Sequence, residues 1–470
     1  MSIWSKKSIP QLLSEADESE KGLKRTLSSR ALVALGIGAI IGAGLFSLTG
    51  IAAAEHAGPA VTLSFVLAAV GCGFAGLCYA EFASMIPVAG SAYTYSYATM
   101  GEFMAWIIGW DLVLEYALGA ARVGVSWSGY FNKFLHQFGL EFPVYLSKSY
   151  ADGGFINLPA IVIVCLLSLL LMRGMRESAQ LNNFLVVIKV AVVLIFITLG
   201  WKFINPENHV PFIPENTGVY GQFGISGIAA GAALVFFAFI GFDAVSTAAQ
   251  EAKNPQKGMP IGILGSLAIC TVLYVLFSYV MTGLVPYTVF KGDASPAATA
   301  FKVTGYEFLQ TGLIVAILAG YTSVILVMLM GQSRVFYSMS NDGLLPKFFS
   351  EIHPKFRTPW KTNIFFMFFV SIFAGFVPVT DLGHMVSIGT LLAFVLVCLG
   401  VLVMRKKMPE IPRSFKTPLV PFVPIAGIVV CFYLMYSLPL ESWIRLFVWM
   451  IIGISLYFIY GKKNSKLNNS

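Results

Sequence analysis

The residues best placed to do chemistry lie inside apolar runs rather than between them. Gly36-Ile-Gly-Ala-Ile-Ile-Gly-Ala-Gly-Leu-Phe46 sits within an uncharged stretch over 31–54, long enough to cross a hydrocarbon layer of about 30 Å. Glycine is a poor helix former, so Gly42-Ala-Gly44 at mid-depth predicts a spanning helix broken into two halves. A second interruption, Phe237-Ala-Phe-Ile-Gly-Phe-Asp243, places a glycine and a carboxylate in the middle of another apolar run. In hydrocarbon a broken backbone survives only where its free N–H and C=O groups face protein or a watery cavity. Glycines also let helices pack closely, and a single one would mean no more than that. Five glycines in the first run, with Gly241 and Asp243 in the second, favour paired breaks. Half-helix ends of this kind hold charged groups in secondary transporters, so a small charged or zwitterionic solute is expected.

Charged side chains inside the apolar runs are costly and each is a functional candidate. Glu81, Asp111, Glu115, Arg122 and Lys189 are the notable ones. Glu81 reads as a tie between helices near one end of its run, and Asp111 as a residue near an interface. Glu115 and Arg122 share one helix face about 10.5 Å apart along the axis, which suits a pair bridged by an intervening group or a role in specificity. Lys189 stands alone in Val186-Val-Ile-Lys-Val-Ala-Val-Val193, at the edge of the distance a snorkelling lysine can span. Burial disfavours the ammonium form in general, so a lysine in such a place can exchange a proton. Asp243 reads as a cap for the second half of its broken helix rather than as a solute contact.

The chain has 470 residues, of which 57% are hydrophobic and 11% charged, with a mean hydropathy of +0.78. A soluble domain carries about 25% charged residues, so a polytopic membrane protein is expected. Twelve apolar segments run near 31–54, 59–86, 102–130, 155–172, 181–203, 222–249, 260–285, 309–335, 362–378, 384–404, 419–438 and 443–460. Most of the 31 Lys and Arg fall in segments that a topology with both termini inside makes cytoplasmic, as the positive-inside rule demands. The net charge of +8 therefore reports orientation and contact with membrane lipids, not a nucleic-acid partner. Residues 1–30 contain no apolar signal-peptide core, so the first span is expected to direct insertion. The six cysteines lie in apolar runs without metal-ligand spacing and read as core residues, so no metal site is expected. The five histidines are scattered, and no His-Glu-x-x-His, Gly-x-Ser-x-Gly or P-loop pattern occurs. No catalytic residue, cofactor or enzyme activity is expected. A channel would want charge rings or carbonyl filters, and neither is evident.

At these residues the chain resembles the amino acid–polyamine–organocation transporters, specifically a bacterial member of the cationic amino acid transporter subfamily. The matches cover 36–46, Gly58-Pro59, Cys78-Tyr-Ala-Glu-Phe82, Gly90-Ser-Ala-Tyr-Thr-Tyr-Ser-Tyr97 and Gly109-Trp110. They continue through Phe239-Ile-Gly-Phe-Asp243, Asn254-Pro-Gln256, Pro260-Ile-Gly262, and Arg334 with Asp342-Gly-Leu-Leu345. Two positions depart from the family's usual pattern: Ala43, where bacterial relatives often carry Thr or Ser, and Gln250, where an acidic residue usually precedes Glu251.

The resemblance implies an all-α integral membrane protein with the leucine-transporter-like 5+5 inverted repeat, helices 1 and 6 broken, and two further C-terminal helices, making twelve. Its divisions would be a cytosolic tail over 1–30, a first repeat over 31–203, a second over 222–404, and the last two spans with a cytosolic tail over 405–470. The backbone of the first break (Gly42, Ala43, Gly44) would present N–H groups and a positive dipole to a substrate carboxylate. The carbonyl ends at Ile40, Ile41, Phe237, Ala238 and Ile240 would receive the ammonium. Phe237, Phe239 and Phe242 would wall the pocket, one or two of them in contact with substrate, and Glu115 would set specificity. In sodium-coupled relatives the region between spans 1, 5 and 8 holds a sodium ion, and Lys189 would occupy its place as the proton-coupling residue. The implied function is proton-coupled uptake of L-amino acids across the cell membrane by alternating access. Small neutral or broad specificity is expected, because no acidic residue in either break faces the substrate side chain. A carrier for arginine, lysine or ornithine and an exchanger without proton coupling are the alternatives, and a small membrane-protein partner is left open.

Overall fold

The computed structural model describes residues 3–8, 10–12, 25–42, 44–291, 293, 296–436, 438 and 440–469. Helices dominate, and among the described residues the only β pairing consists of isolated bridges such as Leu27 with Ala252. The main helices are α1 (Ser29–Ile40), α2 (Val61–Met85), α3 (Ala92–Thr99), α4 (Glu102–Gln137), α5 (Leu158–Arg173), α6 (Met175–Gly200) and α7 (Gly224–Phe236). They continue with α8 (Ala244–Thr247), α9 (Pro255–Leu284), α10 (Glu307–Asn341), α11 (Trp360–Phe376), α12 (Val379–Lys407), α13 (Phe422–Tyr436) and α14 (Leu440–Leu456). Among the described residues, eight helical segments are long and apolar enough to cross a membrane, and four shorter apolar helices accompany them. Large apolar side chains also cover the outside, among them Leu67, Val70, Leu166, Phe368, Ile372 and Ile451. A chain apolar both within and without is built for lipid.

Local signals start and stop these helices. Ser28 caps α1 by accepting from the Ala31 N–H at 3.3 Å, and Asn157 caps α5 by accepting from Ala160 at 3.3 Å, each satisfying a donor the helix leaves free. Pro255 opens α9, where its missing N–H costs nothing. α4, at 36 residues, is about 54 Å long and must tilt or protrude from a bilayer. It packs along α10 and α12, while α9 packs against α1 and α2.

Both termini lie on one face. The 3–12 segment lies across the α3–α4 turn, with the Glu102 and Phe103 N–H groups donating to the Ser5 and Ile3 carbonyls at 2.9 and 3.1 Å. The Lys7 ammonium is buried in an ion pair with Asp342 at the end of α10, and the Tyr93 hydroxyl donates to the same carboxylate at 2.5 Å. The C-terminal segment joins them. Tyr457 donates to Glu102 at 2.9 Å, Ser465 bonds the same carboxylate, and the Lys466 N–H donates to the Asp342 carbonyl at 3.0 Å.

Candidate functional site

The first apolar run is interrupted where its glycines predict. α1 ends at Ile40, Ile41 takes an extended conformation (φ −73°, ψ 105°), and the helix resumes at Gly44 with a wide π-type turn over Gly44–Leu48. Such turns are uncommon and recur at functional sites. The second interruption lies between Phe237–Phe239, which tightens to a 3-10 turn after α7, and the short α8. Gly241 makes that turn with φ +118°, a conformation that side chains with a Cβ rarely adopt. The two breaks touch: a Cβ at Gly44 would lie 2.4 Å from the Ala238 Cα. Gly44 is therefore needed first for the close crossing of two backbones.

A cavity of about 410 Å³ opens beside the breaks, within the range of small-molecule sites. Ile40, Gly42, Gly44, Phe237 and Ile240 line it, so half-helix ends from both breaks reach it. α4 contributes Gly119, Arg122, Val123, Ser126, Tyr130 and Lys133, and α10 contributes Tyr321, Val324 and Met328. Lys133 lies one turn before the α4 end that faces away from the termini, so the cavity extends toward the face opposite the tails. On the termini face the chain is latched. The Thr26 and Leu27 N–H groups donate to the Glu251 carbonyl at 2.8 and 2.9 Å, and the Lys253 N–H donates to Leu27 at 2.9 Å. The Glu251 carboxylate receives two bonds from Arg334, 3.2 and 3.1 Å, with both side chains fully buried.

Lys189, on α6, reaches the first break. Its ammonium donates to the Gly38 carbonyl at 2.9 Å, the Ile41 carbonyl at 3.1 Å and the Ser323 hydroxyl at 2.7 Å. Ser323, on α10, in turn donates to Gly38 at 2.8 Å. Three helices thus meet on one cation, with no acidic partner in the cluster.

The other expected site residues divide. Ile41 does not line the cavity, because its carbonyl is turned toward Lys189. Ala238 and Phe239 lie behind the wall: Phe239 packs on Phe65 and Tyr274, and the Ala238 carbonyl faces the Tyr274 hydroxyl at 2.9 Å. Ala43 lies outside the described residues. Glu115 is fully buried and does not line the cavity; it faces inward beside Asp243 and Thr390, and neither carboxylate oxygen makes a well-formed hydrogen bond. Gly119 and Arg122, farther along α4, take the place on the cavity wall that the sequence reading gives to Glu115. Asp243 does not cap α8. It accepts from the Gly241 N–H at 3.2 Å and the Tyr116 hydroxyl at 2.6 Å, and so holds the turn itself. Asp111 is fully buried against Gly389. Glu81 is a tie, as its position suggests, receiving Arg405, Arg413 and the Thr417 N–H at 2.8–3.1 Å.

Sequence reasoning misses Tyr274. Its hydroxyl on α9 lies 2.9 Å from both the Ile40 and the Ala238 carbonyls, bridging the C-terminal ends of the two half-helices. The available signal is a single hydroxyl in the apolar run Val272-Leu-Tyr-Val-Leu276. A carbonyl has two lone pairs, so a bridged carbonyl can still accept from a substrate ammonium.

Paired helix breaks around a central cavity, in an all-helical membrane protein, define a secondary transporter. The amino acid permease family matches residues 27–463. The branched-chain amino acid permease BcaP of Bacillus subtilis is 47% identical, with 99% of each chain covered. The methylthioribose transporter of the same organism is 44% identical, again over 99% of each. The vacuolar cationic amino acid transporter 4 of Arabidopsis thaliana is 32% identical, covering 95% of this chain and 93% of its own. The chain belongs to the amino acid permease family of the amino acid–polyamine–organocation superfamily, and it is an amino acid permease of the membrane.

Proposed function

We propose that this permease carries uncharged L-amino acids with apolar side chains into the cell, coupled to protons, by alternating access. Residues 31–203 and 222–404 act as the two repeats. The termini face is cytosolic and the cavity faces the exterior of the cell membrane. The carboxylate is received by backbone N–H groups at Gly42 and Gly44, and the ammonium by the Ile40 and Phe237 end of the cavity. Val123, Phe237, Ile240, Val324, Met328 and Val386 offer an apolar wall to the side chain, worth about 0.8 kcal/mol per buried CH₂. That wall and the branched-chain permease among the relatives support an aliphatic substrate. A second reading, an uncharged hydroxylated thioether, rests on Ser47, Ser126, Tyr130 and Tyr321 in the same cavity and on the methylthioribose transporter.

The observation that carries the coupling is the Lys189 ammonium, held by two carbonyls of the first break and a hydroxyl of α10. Protonated, it fixes the end of α1 through charge-assisted bonds. Proton loss to the cytosol removes that charge, loosens the end of α1 and favours opening toward the termini face. The test is uptake of L-leucine into proteoliposomes with a pH step and the membrane potential clamped. One pH unit supports about tenfold accumulation for one proton per substrate. The wild type should approach that ratio, and Lys189→Ala should bind leucine yet equilibrate it to a ratio near one. Tenfold accumulation by the variant would refute the assignment.

A further inference from the structure

Arg122 is a guanidinium inside a membrane-spanning helix, a position whose cost calls for an explanation. Two structural explanations fail. Its nearest acid along the helix, Glu115, lies two turns away beyond Gly119 and points at Asp243 and Thr390 instead. None of the ion pairs among the described residues includes Arg122. The group it does interact with is Tyr321, a neutral phenol that also lines the cavity.

The cavity's other charges point the same way. Lys133 lies farther out along the same face of α4, its ammonium 5.0 Å from the centre of the Tyr130 ring. The Gly44 end of the far half-helix adds the positive pole of a helix dipole. Among the described residues, no acidic side chain lines this cavity. Asp293 offsets Lys133, so Arg122 and the half-helix end set the local field, in a site walled by apolar groups where it is weakly screened.

We infer that Arg122 is the charge filter of the permease: it leaves room for uncharged substrates and rejects any whose side chain carries a positive charge. This makes Arg122 a specificity-determining residue, and it rests on the reading of the cavity as the substrate site. Two unit charges about 6 Å apart at an effective dielectric of about 20 repel by an amount equal to on the order of 100-fold in Kd. A cationic amino acid therefore pays this factor even where its α-groups are received as well as those of leucine.

The filter can be tested with the unmodified protein, by equilibrium binding in detergent without any gradient. L-Citrulline is an uncharged near-isostere of L-arginine, and the two differ chiefly in the charge that the filter reads. Citrulline should bind on the order of 100-fold more tightly than arginine; equal binding would overturn the inference. Arg122→Gln should then bring the two within about tenfold, a ratio read within one variant so that any common change in affinity cancels. Arg122→Lys should restore discrimination, a rescue that a merely structural arginine would not show. A wild-type ratio that Arg122→Gln leaves unchanged in a folded protein would also overturn it. Because binding is read without a proton gradient, failure of the filter appears here, whereas failure of the coupling role of Lys189 appears only in accumulation.

Discussion

Glu251 and Arg334 offer the sharpest test of how the termini face is kept shut. The pair is fully buried, with two bonds of 3.2 and 3.1 Å, and Arg334 also donates to Ser333 at 2.7 Å. Breaking a buried pair by removing one partner costs about 3–5 kcal/mol, because the remaining charge is left without compensation. In Glu251→Gln one hydrogen bond survives, so the lower end of that range applies. The Thr26 and Leu27 N–H groups still find the Glu251 main-chain carbonyl, so the turn itself should persist. The cost falls on the closed conformation alone, since opening separates the two side chains and lets water reach both. An energy of about 3 kcal/mol moves a two-state equilibrium by on the order of 100-fold toward the open form.

A cysteine at Ser246 reports on this. The native side chain is fully buried behind the latch, its hydroxyl donating to Ser91 at 2.7 Å. With the six native cysteines replaced, labelling of Ser246→Cys by an impermeant maleimide from the termini face should rise by at least tenfold when Glu251→Gln is added. Melting temperature serves as the control for folding. A labelling rate changed by less than about threefold, in a protein that melts normally, would show that the ion pair does not hold the gate.

Gly44→Ala should destabilise the protein and abolish substrate binding, because its Cβ would meet the Ala238 backbone at 2.4 Å and overpacking costs about 1–3 kcal/mol. At Gly42 the Cβ would meet only the Val324 side chain at 3.1 Å, so Gly42→Ala should fold normally and bind bulky aliphatic amino acids more weakly than alanine; thermal-shift titrations compare the two. Glu115→Gln should shift the melting temperature while leaving the order of preference among neutral and cationic amino acids unchanged, because Glu115 lies off the cavity wall. A reordered ranking in a competition-binding screen would return that carboxylate to the site.

The helical class and the location of both breaks are legible because lipid leaves the sequence few choices. An apolar run of spanning length must be helical, and a cluster of glycines in one must be tolerated by a cavity. Lys189 is legible for the same reason, since a lone ammonium in Val186–Val193 has no cheap place to go. The direction in which each α4 side chain points is harder to read. Asp111, Glu115 and Arg122 lie within twelve residues of one helix that is packed on several sides, by α10, α12 and α11 among others. A helix buried nearly all round shows little amphipathic periodicity, so the faces that meet Asp243 and the cavity cannot be told apart from spacing alone. Asp243 is misread for a related reason. A carboxylate next to a break looks like a helix cap until the turn at Gly241 supplies a nearer N–H.

The near half-helix α1 connects Lys189 to the Glu251–Arg334 pair. Its twelve residues make a bar about 18 Å long, and each end is held differently. At its start, the 26–27 backbone is joined to Glu251 and through it to Arg334. At its end, Gly38 and Ile41 are held by Lys189, and Ile40 by Tyr274. Under the coupling reading, proton loss at Lys189 removes the charged bonds from the end of the bar but leaves the ion pair at its start intact. Proton loss thus weakens one of the two holds, and a substrate in the cavity would meet the bar at Ala39 and Ile40. On this reading, opening toward the termini face is favoured most when both changes act at the one break, and that shared break would tie the downhill movement of a proton to the uphill movement of an amino acid.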